Sequence, residues 1–138
     1  MKEGKLLLIH HKKLDKWLPV GWHINDNETP DEAMKREAKE EVGLDINFVH
    51  YPVERRGNKK EFALPFYANR HTITQDHSHY CLFYLCTINS TKINASEKEL
   101  KGYRWVGLDD LEKLSPSLNE GDLFTCREAL KLGEELAL

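Results

Sequence analysis

The stretch Gly21–Leu44, GWHINDNETPDEAMKREAKEEVGL, decides how this chain is read. Thr29-Pro30-Asp31-Glu32 is a helix start: Thr stands at the N-cap, Pro at the first helical position, and Glu at N3 to close a capping box. The spacing predicts a helix from Pro30 to about Val42, ended by Gly43 in the left-handed conformation. Met34, Ala38 and Val42 form an apolar stripe on it, and beside that stripe Glu37, Glu40 and Glu41 fall within an arc of about 100°. Glu37 and Glu41 stand at i, i+4, where like charges destabilise an isolated helix by roughly 0.2–0.5 kcal/mol per pair. The arrangement calls for a counter-charge, and a bound divalent cation is one. Acidic helix faces are usually just solvated, so spacing rather than charge has to decide.

On the N-terminal side, Lys5–His11 reads as a strand whose apolar run suggests burial on both faces, and Trp17-Leu18-Pro19-Val20-Gly21 as a short extended piece. On the C-terminal side, Asp45–Val53 alternates toward a strand, Arg55–Lys60 is a basic turn, and Phe62–Thr74 is extended. Tyr80–Ile88 carries apolar residues on both faces and is expected to be central in the sheet. Tyr103–Val106 is a further strand, Leu108–Leu114 a short helix stopped by Pro116, and Asp122–Leu136 a last helix. Interleaved strands and helices point to an α/β architecture, a mixed β-sheet with helices packed on it.

A length of 138 residues fits one domain, 1–138, with a substantial core. Hydrophobic residues at 40% and charged residues at 31% are ordinary for a globular protein, and no linker, repeat or low-complexity tract interrupts them. Twenty basic against 23 acidic side chains leave a formal charge of −3, which argues against general binding of nucleic acid or of an acidic membrane. The apolar run Leu6–Ile9 is too short for a signal-peptide core or a membrane span, so a cytoplasmic location is expected. Cys81, Cys86 and Cys126 are odd in number and lack C-x-x-C spacing, which points away from a disulfide framework or a zinc site.

From Glu28 to Leu44 the sequence resembles the Nudix hydrolase signature. Glu28 is followed after seven residues by Arg36-Glu37-Ala38-Lys39-Glu40-Glu41-Val42-Gly43-Leu44, with many fixed residue types at fixed spacing. Trp17-Leu18-Pro19 before the motif, and Tyr103-Arg104-Trp105-Val106 with Leu108-Asp109-Asp110-Leu111 after it, extend the resemblance from about Lys5 to Leu114. It implies an α/β/α sandwich with the catalytic loop-helix-loop at about residues 21–44. Two features depart from the family pattern. Trp22 stands where the signature has its first glycine, with Gly21 one residue early, and only Met1–Gly4 precede the first strand, where relatives have a further one. The sheet is then either smaller or has its edge covered by a partner, and a homodimer would do this.

The resemblance implies hydrolysis of a diphosphate linkage in a nucleoside diphosphate derivative or nucleoside triphosphate. Glu37, Glu40 and Glu41 would bind Mg²⁺ or Mn²⁺, hard ions that prefer oxygen ligands and keep waters for substrate phosphates to replace. The Gly21 carbonyl is a further candidate ligand, Glu28 supports the cluster, and Arg36 orients carboxylates; Arg36 and Glu40, at i, i+4, can also pair on spacing alone. The base in this family is a motif glutamate or an acid on a later loop; here Glu97 and Glu99 precede the strand at Tyr103, and Glu99 is favoured.

Several residues have a functional and a plainer reading. Arg55 and Arg56 could steer a polyphosphate or simply solvate a hairpin tip, and Trp22 could stack on a base or pack locally. His77 and His79 share a strand face and could contact substrate, although a strand-entry pair without a ligand is the plainer reading. Trp22 also motivates an alternative function, a catalytically weak Nudix-fold nucleotide-binding or regulatory module.

Overall fold

The computed structural model describes residues 1–21, 23–50, 57 and 62–138. Its strands are β1 Leu6–His11, β2 Lys16–Pro19, β3 Ile46–Phe48, β4 Tyr67–Thr74, β5 His77–Phe83, β6 Cys86–Ile88 and β7 Leu100–Val106. Its helices are α1 Pro30–Val42 and α2 Glu120–Glu135, with a 3₁₀ helix at Leu108–Lys113. The described ladders are antiparallel and fall into three sheets, ordered β2-β1-β7, β3-β6 and β4-β5.

β1 is the centre of the construction, paired on both sides. Alternation sends Leu8 into a core with Val106, Leu111, Leu114, Cys126, Ala129 and Leu130. It sends Ile9 into a second core with Val42, Leu44 and Leu100. The first core is closed by α2 and the second by the C-terminal end of α1, so the two helices cover opposite faces of the three-stranded sheet. The expected sandwich of sheet between helices is thereby met. Met1 is buried in the α2 core, its amino group donating to the Cys86 carbonyl.

α1 begins and ends where the local rules place it. Thr29 accepts from the Glu32 amide, Glu32 accepts from the Thr29 amide at 3.2 Å, and Gly43 adopts φ 71°. A Cβ on Gly43 would lie 2.9 Å from Asn94 Cβ, so this glycine is needed for close approach as well as for its left-handed φ. The segment it lets in bonds along the helix end, Asn94 N–H to the Val42 carbonyl at 2.9 Å and Ser96 N–H to the Glu41 carbonyl at 2.8 Å.

Among the described residues, Tyr80–Ile88 is not one central strand. It divides into β5, paired with β4, and β6, paired with β3, while Leu85 between them turns into the α2 core. Tyr80 is 81% exposed on the outer face of the β4–β5 ribbon. Apolar composition on both faces did not distinguish a strand buried twice from a ribbon whose outer face carries Tyr80 and Leu82. Of the strand expected over Asp45–Val53, the described residues form Ile46–Phe48, and Tyr51–Val53 lie outside the described residues. The last helix starts earlier than expected, because Asn119 caps it by accepting from the Asp122 amide at 2.8 Å.

Candidate active site

The loop after β2 and the exposed side of α1 bring the acidic residues together. Arg36 is the hub: its Nε and Nη2 donate to the two oxygens of Glu28 at 2.7 and 3.2 Å, and its Nη1 donates to Glu37 and Glu40, both at 3.0 Å. Nη2 also donates to the His23 carbonyl at 2.9 Å, fixing the loop to the helix. Glu28 accepts from the Asn25 amide as well, at 2.9 Å. Hydrogen bonding from Arg36 holds the Glu28 carboxyl below its ordinary range, and the same bond raises Arg36. Arg36 thus bonds three carboxylates, and a planar guanidinium suits that because it can engage several at once.

Glu41 has a different environment. It is 5% exposed, and its Oε1 accepts the Gly21 amide at 3.2 Å, while its Oε2 is buried without a hydrogen-bond partner. Burial pushes its carboxyl up to about 8 against the Gly21 hydrogen bond, helped by repulsion from Glu37, by a proton shared with the Glu37 carboxylate, and by repulsion from Glu99. A buried carboxylate oxygen with no partner is costly unless something supplies positive charge. Gly21 itself, at φ 121°, presents its amide to Glu41, and a Cβ there would lie 3.1 Å from Met34 Sδ.

Glu99 stands just before β7, close enough for its charge to act on Glu41, on a segment tied down by the bond from Lys12 N–H to its own carbonyl at 2.8 Å. Glu28, Arg36, Glu37, Glu40, Glu41, Gly21 and Glu99 are thus brought to one region. Trp22, Arg55 and Arg56 lie outside the described residues. His77 and His79 sit on β5, bonded to each other through their Nε2 atoms at 2.9 Å. Glu37 and Glu41 are largely buried and Glu40, at 57% side-chain exposure, reaches outward. Among the described residues no three His, Cys, Asp or Glu side chains are already closed around one point. The donor set nonetheless fits a hard divalent ion: carboxylate oxygens, one of them buried and unpartnered, on a face where water can complete the shell.

Sequence reasoning passed over two residues. Asp31 is buried; burial alone would push its carboxyl up, yet hydrogen bonds from Thr29 and from the backbone of Ala63, Asp31 and Glu32 outweigh it and bring it down. Its bond to Ala63 N–H, at 3.2 Å, docks the chain before β4 onto the start of α1, a contact 32 residues long that no local pattern announces. His23 meets His79 edge to face, with ring centroids 5.9 Å apart, and its only sequence signal was its place in the loop. Cys86 and Cys126 are pushed up to about 12 by burial, as suits small hydrophobes rather than reactive thiols.

Comparison with known proteins places this geometry. The NUDIX domain family model matches residues 1–124. An RNA pyrophosphohydrolase from Marinomonas sp. (strain MWYL1) is 33% identical over 111 residues, covering 76% of this chain and 68% of that protein. An asymmetrical bis(5'-nucleosyl)-tetraphosphatase from Rattus norvegicus is 26% identical over 125 residues, covering 86% and 74%. Among solved structures, a NUDIX-family hydrolase from Clostridium perfringens superposes with a TM-score of 0.77 at 32% identity, covering 93% of this chain and 89% of that one.

Proposed function

This chain belongs to the NUDIX family of hydrolases, and from that premise we propose a divalent-metal-dependent pyrophosphohydrolase that cleaves a diphosphate linkage in a nucleotide-type substrate. The observation that carries the metal reading is Glu41, a buried carboxyl with one unpartnered oxygen beside Glu37, in a signature that matches from Glu28 to Leu44. Glu37, Glu40 and Glu41 would hold Mg²⁺ or Mn²⁺. When bound, such an ion supplies charge neutralisation at the phosphate oxygens and acidifies water for attack at phosphorus.

The chain's own residues set the conditions for that chemistry. Arg36 keeps Glu28, Glu37 and Glu40 in a fixed array, so little reorganisation is needed when substrate arrives. The Gly21 amide orients the Glu41 carboxylate from the loop side. Glu99, on a segment docked against α1, is the group we assign to take the proton from the attacking water. The substrate class follows the relatives named above: a nucleotide carrying a polyphosphate, either free or as the end of a longer molecule. A net charge of −3 favours recognition of such a terminus over recognition along a polynucleotide.

The test is a nucleotide panel with Mg²⁺ or Mn²⁺ and product identification. Glu40→Gln and Glu41→Gln are each expected to lower kcat at least about 100-fold with unchanged circular dichroism. A wild-type protein that releases neither phosphate, pyrophosphate nor a nucleoside monophosphate from any substrate would overturn the proposal.

A further inference from the structure

The motif His77-Ser78-His79 is not used by the chemistry above, yet the fold carries it to the edge of the acidic cluster. β5 places both imidazoles on one face, with ring planes 86° apart and centroids 4.8 Å apart. His71 is the register partner of His79 in β4, which puts it on the same face of the ribbon. His79 touches His23 edge to face at 5.9 Å, and the His23 carbonyl is held by Arg36, the residue that also binds Glu28, Glu37 and Glu40. The histidine face of the ribbon therefore adjoins the loop that Arg36 ties to the carboxylate array on α1. His77 is exposed and His79 half-buried, so both are open to a ligand.

The local electrostatics say what that ligand is. Glu28, Glu37, Glu40, Glu41 and Glu99 repel any stretch of phosphate chain that a metal ion does not neutralise. Imidazoles beside them offer N–H donors to phosphate oxygens. In the His77–His79 pair one Nε2 donates and the other accepts, so the accepting ring carries its proton on Nδ1 and can donate it to a phosphate oxygen. Although His23 and His71 are near, no three His, Cys, Asp or Glu side chains among the described residues are arranged to hold a metal ion, which weighs for an anion over a metal.

We infer that His77 and His79 recognise the part of the substrate's phosphate chain that runs beyond the scissile linkage, so that the enzyme prefers three or more consecutive phosphates to a simple diphosphate. This rests on the pyrophosphohydrolase reading and narrows its substrate class.

Two measurements on the full chain test it. The first is calorimetric titration of inorganic tripolyphosphate into metal-free protein, which needs no turnover. The double variant His77→Ala, His79→Ala is expected to bind it about tenfold more weakly or worse, and His77→Lys, His79→Lys to restore binding, as for a loss of charge-assisted hydrogen bonds. The second is kinetics with Mg²⁺: in the alanine variant KM for a nucleoside triphosphate rises, the loss falls in KM and not in kcat, and KM for a nucleotide sugar rises less. Equal tripolyphosphate affinity in wild type and alanine variant overturns the inference. So does an equal KM rise for both substrates, or zinc uptake lost in the variant with tripolyphosphate binding untouched. A protein that binds tripolyphosphate through these histidines but turns over nothing would count against the hydrolase reading alone.

Discussion

Glu41 is the buried side chain through which stability is expected to depend on pH and, in the proposed enzyme, on metal. Its folded-state value, about 8, lies above the ordinary 4.5, so the native state holds a proton that the unfolded chain releases. The stabilisation this gives is fully present below 4.5 and is lost as pH rises through about 8. Metal-free protein should therefore show a melting temperature that falls across that window. Glu41→Gln should flatten the fall, and so should Mg²⁺, which favours the ionised carboxylate. A thermal-shift series at several pH values, with and without chelator, measures both; an unchanged slope in Glu41→Gln would remove Glu41 as its source. The identity of this residue was legible from the signature spacing, whereas its burial and its contact with the Gly21 amide were not. Burial depends on what covers the helix face, and nothing within a few residues of Glu41 states that.

Among the elements, α1 was read from its sequence almost residue for residue, because caps, the first-turn proline and the terminal glycine act within a turn of where they stand. The glycine has a second duty that only the folded chain exposes. Gly43→Ala must place an L-residue at φ 71° and a Cβ 2.9 Å from Asn94 Cβ, so it should cost more than the roughly 1–2 kcal/mol of the left-handed conformation alone. Urea denaturation gives the stability, and because residues 94–96 lead to Glu99, kcat should fall with it. Wild-type kcat in a destabilised Gly43→Ala protein would argue that the docked segment does not position Glu99. The β5–β6 region was read less well. Alternation assigns faces to a strand but not the neighbour that covers each face, and here the pairing partner changes at Leu85.

At the scale of the whole molecule, two helices cover opposite faces of a sheet centred on β1, and the loop after β2 meets α1 at one edge of it. No helix among the described residues is long and apolar enough to cross a membrane. A ligand that binds only the folded molecule raises its melting temperature, by the equivalent of about 2.7 kcal/mol at 100 times Kd. Mg²⁺ or Mn²⁺ should therefore stabilise the wild-type chain reversibly, with the gain erased by chelator and absent from Glu40→Gln, Glu41→Gln; equal stabilisation of that double variant would place the ion elsewhere. The sequence by itself determined the extent and caps of α1, the acidic face, and the family, since these rest on local periodicity and on residue types at fixed spacing. Only the tertiary structure decided that Glu41 is buried with an unpartnered oxygen, that Glu99 stands beside it, that Asp31 anchors the chain before β4, and that His23 joins His79. Each of those joins or covers residues far apart along the chain, and no spacing rule spans a distance that only packing closes.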